Sequence, residues 1–323
     1  MKSPAPGTHC VTTMQKMNWR KLVVALFACV ITSCTSTESS LLVQQKSKSD
    51  MAELQAMVAK DKSWKKLSYF DTGSQSDIGI PEEACRIGRF ATVRFLVQHG
   101  AELRKFREPY ASSSCLTFVT AHSIPAYQGT RMVPADEAKI NEIIETLDFL
   151  LSHGATLGKF EPHLSPLSFC DNAKVARYWI NKGLNPLDGW SDALNKLAHG
   201  AQVSLREPPL GIAALTRSFD VFKLYIDTIG YHRLSERDKG TLMFLIVSGD
   251  NIMDEKKRAK KLRYIIQQGG NPTKYRNQHG RSIMDVISSH AGSSDKAEML
   301  RIMREYLEQH GDINEQDIIT VVQ

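Results

Sequence analysis

The chain has 323 residues, 42% of them hydrophobic, which suffices for one elongated array or two ordinary domains and excludes wholesale disorder. Its formal charge of +6 is unevenly placed: Lys2, Lys16, Arg20 and Lys21 precede Cys34 with no acidic residue among them, leaving about +2 for the remainder. So small an excess does not supply the basic face of a nucleic-acid binder, and no nucleic-acid partner is expected.

The first element in chain order is a leader. Arg20 and Lys21 are followed by an uninterrupted apolar run from Leu22 to Ile31, too short to span a bilayer but suited to export. Ile31-Thr32-Ser33-Cys34 resembles the bacterial lipobox, an aliphatic and two small residues before the cysteine that receives lipid. The resemblance implies that residues 1–34 are a signal peptide, that Cys34 is the lipidation site, and that acyl chains hold the protein on a membrane surface. Thr35, Ser36 and Thr37 place no aspartate after the cysteine, which in bacterial lipoproteins implies the outer membrane and a periplasm-facing protein. An ordinary signal peptide with an incidental cysteine, or a buried apolar helix, has the same composition. Met17 would start a more typical leader.

Residues 35–50 are polar and serine-rich, the composition of a flexible tether. A helix is expected near Met51–Lys60, and residues 51–80 are expected to form an N-terminal helical cap. An internal start at Met51 would yield a cytoplasmic form without a leader.

From Ala84 the chain repeats itself. Gly88 ends a first short helix, Val93, Leu96 and Val97 line one face of a second, and Gly100 ends that. The same ending recurs at Phe149–Gly154, Tyr178–Gly183, Tyr225–Gly230, Tyr264–Gly269 and Tyr306–Gly311. Helix openings stand ahead of several of these, as Ser165-Pro166-Leu167-Ser168-Phe169-Cys170, Pro208-Pro209-Leu210-Gly211-Ile212-Ala213 and, more loosely, Gly280–Met284; Asp188–Gly200 reads as a degraded further one. Between repeats, His122–Pro134 has two prolines and a glycine and is expected to be an exposed loop, before an apolar stripe of Ile140, Ile143, Ile144, Leu147, Leu150 and Leu151.

These residues resemble the ankyrin family over residues 81–314. The resemblance implies an all-α solenoid of about six degenerate units with insertions, helix pairs carrying projecting β-turn fingers, closed by a C-terminal cap over 315–323 packed on the last pair. Six residues beyond Gly100, Gly154 and Gly269 stand Phe106, Phe160 and Tyr275, and Trp190 lies seven beyond Gly183. In ankyrin folds this is finger territory, so these rings, with Arg107, Arg276 and, in the long insertion, Tyr127 and Arg131, are the candidate partner-binding residues. Two arrangements remain open: an aromatic stripe facing solvent, or rings tucked into enlarged fingers.

Three cysteines follow Cys34. An oxidising compartment permits one disulfide among Cys85, Cys115 and Cys170, while Cys85 and Cys170 stand at inner helix positions that favour small buried thiols. The run Lys256–Lys261 reads as the solvated face of a helix whose apolar side is Leu262, Ile265 and Ile266, or as a contact for an acidic protein or anionic headgroups. His99, His153 and His310 precede turn glycines at equivalent positions and are read as repeat residues. No nucleophile elbow, HExxH pair, CxxC pair or phosphate loop occurs, so no catalytic residue, metal, cofactor or small-molecule substrate is expected.

A lipidated, periplasm-facing ankyrin protein resembles the immunity lipoproteins that accompany type VI secretion lipase effectors. This implies a protein partner, a secreted phospholipase or lipase that it neutralises. The alternative is a structural scaffold that organises an outer-membrane or stress-response complex.

Overall fold

The computed structural model describes residues 52, 55–56, 58–59, 68–71, 76–103, 114–128, 131–156, 165–198, 208–248, 257–289, 294–311 and 315–321. The leader, Cys34 and the tether lie outside these residues. The chain divides into two units, Met1–Trp64 and Lys65–Gln323. In the first, Ala52, Gln55, Ala56, Val58 and Ala59 are helical, within the helix expected near Met51–Lys60.

The second unit is mostly helical. It opens with an antiparallel hairpin, β1 (Ser68–Asp71) with β2 (Ser76–Gly79), where the sequence led us to expect a helical cap. Then come α1 (Ile80–Arg86), α2 (Phe90–Gln98), α3 (Cys115–Ala121), β3 (Ala126–Gln128), β4 (Arg131–Val133) and α4 (Glu137–Ser152). A 3-10 turn (Pro166–Phe169) precedes α5 (Ala173–Asn181), α6 (Trp190–Ala198), α7 (Pro209–Leu215), α8 (Phe219–Ile229), α9 (Glu236–Ser248) and α10 (Lys257–Gln267). The last elements are β5 (Tyr275–Asn277), α11 (Ile283–Ser289), α12 (Ser294–His310) and β6 (Ile319–Val321).

Among the described residues these helices form six pairs: α1 with α2, α3 with α4, the 3-10 turn with α5, α7 with α8, α9 with α10, and α11 with α12. First members touch first members, α1 to α3, to the 3-10 turn, to α7, to α9, to α11; second members touch likewise, α2 to α4, α5, α8, α10 and α12. Each inner pair therefore shares its apolar side with the pair before and the pair after, and each end pair with one neighbour.

Local chemistry fixes where these helices start and stop. Ser114, Asp136, Asn172 and Ser218 cap the N-termini of α3, α4, α5 and α8 by accepting from backbone N–H groups one turn on. Ser235 with Asp238, and Ser282 with Asp285, form reciprocal capping boxes at α9 and α11. At the far end of α2, Gly100 has a φ of 87°, which lets Ala101 N–H reach back to the Leu96 carbonyl at 2.9 Å. Ala155, Leu184 and Gly270 make the same bond after Gly154, Gly183 and Gly269. The third pair begins with only a 3-10 turn, because Asn172 already caps the next helix three residues after Phe169.

Every interface between consecutive pairs carries a buried or part-buried polar link. His122, after α3, points Nε2 at the Cys85 and Arg86 carbonyls that end α1, at 3.0 and 3.1 Å. Asp171 N–H donates to Ser123 Oγ, and the buried Trp179 indole donates to Thr120 Oγ1, joining the third pair to the second. Arg217 donates to the Ser168 carbonyl at 2.7 Å, and the buried Tyr225 hydroxyl donates to that of Leu167. Lys261, 1% exposed, donates from Nζ to the Ala213 and Ala214 carbonyls at the end of α7, 2.7 and 3.1 Å away. Asp295 of α12 accepts from the backbone of Arg258 and Ala259 at the start of α10 and pairs with the Arg258 guanidinium at 3.3 Å.

The sequence is corrected at several points. Arg258 and Lys261 do not lie on a solvated face: α10 is flanked by α8 and α12 and stands on α9, so these two cations turn inward while Lys260 stays exposed. Cys85 is not a free thiol but forms a disulfide with Cys115, tying α1 to α3 across a Cα–Cα distance of 5.2 Å. Cys170 is a free, buried thiol, and burial pushes its pKa up. The long insertion contains a hairpin rather than a loop alone, β3 pairing with β4 in the register Ala126↔Val133, Tyr127↔Met132 and Gln128↔Arg131. β6 pairs in parallel with β5 and packs on α9, so the C-terminal segment returns to the fifth pair rather than only capping the sixth. The helix at Asp188–Gly200 exists as α6, but it packs on α7 instead of opening a repeat.

Two outcomes follow. Asp295→Ala removes a carboxylate from the buried Arg258 and from two helix-start N–H groups; a loss of about 3–5 kcal/mol in urea unfolding is expected, with a smaller loss for Asp295→Asn. Burial lowers the pKa of His122 below 6.5, so the folded chain holds it neutral while the unfolded chain takes up a proton. Its contribution to stability is full above pH 6.5 and declines as the pH falls below that value, and His122→Gln is expected to flatten the stability profile in this window.

Candidate interaction surface

The candidate partner-binding residues separate into three groups. Phe106, Arg107 and Phe160 lie outside the described residues. Tyr127 and Arg131 sit on the two strands of the β3–β4 hairpin. Trp190, Tyr275 and Arg276 are fully described, and the structure brings the first two to one place.

That place is the N-terminal turn of α9. Trp190 is 1% exposed and donates its indole N–H to Asp238 Oδ1 at 2.9 Å; Tyr275 is 1% exposed and donates its hydroxyl to Glu236 Oε2 at 3.1 Å. Arg237, between these two acids, donates to the Leu194 carbonyl of α6. Lys239 and Lys274 both reach Glu236, and their bonds, with that of Tyr275, hold its carboxyl down to about 2. Gly240 makes room for this packing, since a Cβ there would stand 2.6 Å from the Tyr275 ring and 2.7 Å from Val321. Arg276 spends its guanidinium on the Thr273 and Tyr275 carbonyls. The two rings thus take the tucked arrangement and are not part of a solvent-facing stripe: each ring's polar tip finds an acidic partner only by turning inward.

On the exposed side of the second-helix row, several charged and polar groups pair with one another. Asp148 accepts from Tyr178 at 2.8 Å and pairs with Lys182 at 3.0 Å; two interfaces further on, Asp227 accepts from Tyr264 and pairs with Lys223 at 2.5 Å. Arg263 and Arg301 share Glu298, and Lys174 bonds Glu137 and Asn141. His99, His153 and His310 each place Nδ1 on the carbonyl four residues back, at 2.8, 2.8 and 3.0 Å, and stack on Phe95, Phe149 and Tyr306. One ring face and one nitrogen of each histidine are thereby engaged in finishing the helix. Among the described residues no group of three or more His, Cys, Asp or Glu could hold a metal ion. No described helix is long and apolar enough to cross a membrane.

The first-helix row differs. Phe118 in α3, Phe169 in the 3-10 turn and Ile212 in α7 are partly exposed apolar residues on elements whose other core positions are buried. They sit on successive first members of the row, α3 touching the 3-10 turn and the turn touching α7. Sequence reasoning passed over them, although the signal was present: each lies two residues beyond a buried leucine, Leu116, Leu167 or Leu210, in matching short motifs. No family model matches the chain, and no curated protein is detectably similar to it.

Trp190→Ala is expected to cost about 3–5 kcal/mol of stability and Tyr275→Phe about 1 kcal/mol, read by urea unfolding. Rings serving only a partner would leave stability unchanged.

Proposed function

We propose that the chain is a protein-binding scaffold of the ankyrin kind, a solenoid of six degenerate units, anchored by lipid on Cys34 and facing the periplasm. Its most specific reading is an immunity protein that binds and neutralises a type VI secretion phospholipase or lipase effector. The observation that supports the binding role is the partly exposed apolar series of Phe118, Phe169 and Ile212, in contrast to the second-helix row, where Asp148 and Asp227 each pair with a lysine. A protein edge can cover such a row, whereas isolated apolar residues have no comparable continuity. The leader ending at Ile31–Cys34 supports the location, and the Cys85–Cys115 disulfide fits an oxidising compartment.

Periplasmic delivery of a phospholipase encoded beside this chain tests the reading. Cells producing the chain are expected to survive, and the purified pair to form a stoichiometric complex. Phe118→Asp and Phe169→Asp are expected to weaken that complex by about thirtyfold each while the chain stays folded, the loss of one central interface anchor. Survival unchanged by the presence of the chain would reject the immunity role; an envelope defect on deleting the gene, with no toxin present, would favour the structural scaffold.

A further inference from the structure

We propose that the Cys85–Cys115 disulfide is an oxidation-dependent lock, docking the first helix pair on the second so that this end of the row closes fully only in an oxidising compartment. The bond joins α1 to α3, the first members of adjacent pairs, and spans 30 residues of sequence. The pair it holds is the smaller of the two end pairs. α1 has seven residues and α2 nine, and among the described helices this pair has a neighbouring pair on one side only. Without the bond, the interface rests on the apolar contacts of Ala84, Phe90, Val93 and Leu96, on His122 closing the end of α1, and on Arg94 of α2 donating to Thr146 of α4 at 2.9 Å.

Burial gives the lock a direction. Cys85 is 0% and Cys115 5% exposed, so a thiol reaches the bond only after α1 has parted from α3. Formation has the opposite requirement: before docking, both thiols are accessible. One thiolate attacks a sulfur of a dithiol–disulfide donor protein, giving a mixed disulfide and freeing one donor thiolate. The second cysteine then displaces the donor, which leaves as its dithiol with both electrons and two protons. In a reducing compartment this exchange does not proceed, and the pair undocks more often. Cross-linking a loop of this length shifts the opening equilibrium by roughly a hundredfold or more on chain-entropy grounds. Cys170, a buried free thiol on the third pair, takes no part.

Hydrogen–deuterium exchange on the full chain in detergent, oxidised, against the Cys85→Ala/Cys115→Ala variant, tests this. Residues 80–98 are expected to exchange about a hundredfold faster in the variant, with 209–229 and 257–267 unchanged. If the variant does not fold, the wild-type chain reduced below its unfolding transition serves instead. Equal exchange in both forms, equal acceleration of all segments, or free Cys85 and Cys115 thiols in the exported chain would each overturn the lock. None of these readouts involves a partner, so they fail or succeed independently of the proposed immunity role.

Discussion

A lysine with no access to water, resting on the carbonyls of a neighbouring helix, is the interaction on which this architecture turns. The last carbonyls of an α-helix have no partner inside the helix and carry partial negative charge. Lys261 supplies that partner for α7, Arg217 does so for the 3-10 turn, and His122 for α1, in each case from the following pair. A pair taken alone would leave a buried acceptor or a buried donor unmet. Docking satisfies both at once, so the polar groups make the stacking specific while the apolar sides make it favourable.

This division of labour shapes what the surfaces can do. On the second-helix row, tyrosine, carboxylate and lysine repeat as Tyr178–Asp148–Lys182 and Tyr264–Asp227–Lys223, each carboxylate compensated by a neighbouring lysine. On the first-helix row, Phe118, Phe169 and Ile212 are partly exposed where their neighbours are buried. Contact with a partner there would rest on apolar area and shape, held by a framework that the interface links keep rigid. The rings that resembled partner-facing fingers, Trp190 and Tyr275, are instead pins that fasten α6 and β5 to the first turn of α9.

The repeat boundaries were legible in the sequence because they depend on one residue type in one backbone state. Gly100, Gly154, Gly183, Gly230, Gly269 and Gly311 all have positive φ, and all six were readable as helix ends. First helices were harder. Residues 241–247 of α9 are buried on every side, so no polar stripe marks a helical period. Cys115–Ala121 carries no proline opening at all. The inward turn of Arg258 and Lys261 was hidden because charge in a sequence reads as exposure, and only the neighbouring helices supply the buried carboxylate and carbonyls that make the interior tolerable. The disulfide pairing was out of reach for a similar reason: it is a distance between two helices, and spacing along the chain does not encode it.

Lys261→Met keeps the volume and apolar stem of the side chain and removes the donor alone. In urea unfolding followed by helical signal, this variant is expected to lose about 2 kcal/mol and to unfold over a broader range than the wild-type chain, as the fourth and fifth pairs uncouple. A curve superimposable on the wild type would mean that the carbonyl ends of α7 need no partner from the next pair, and would contradict the coupling described for every interface.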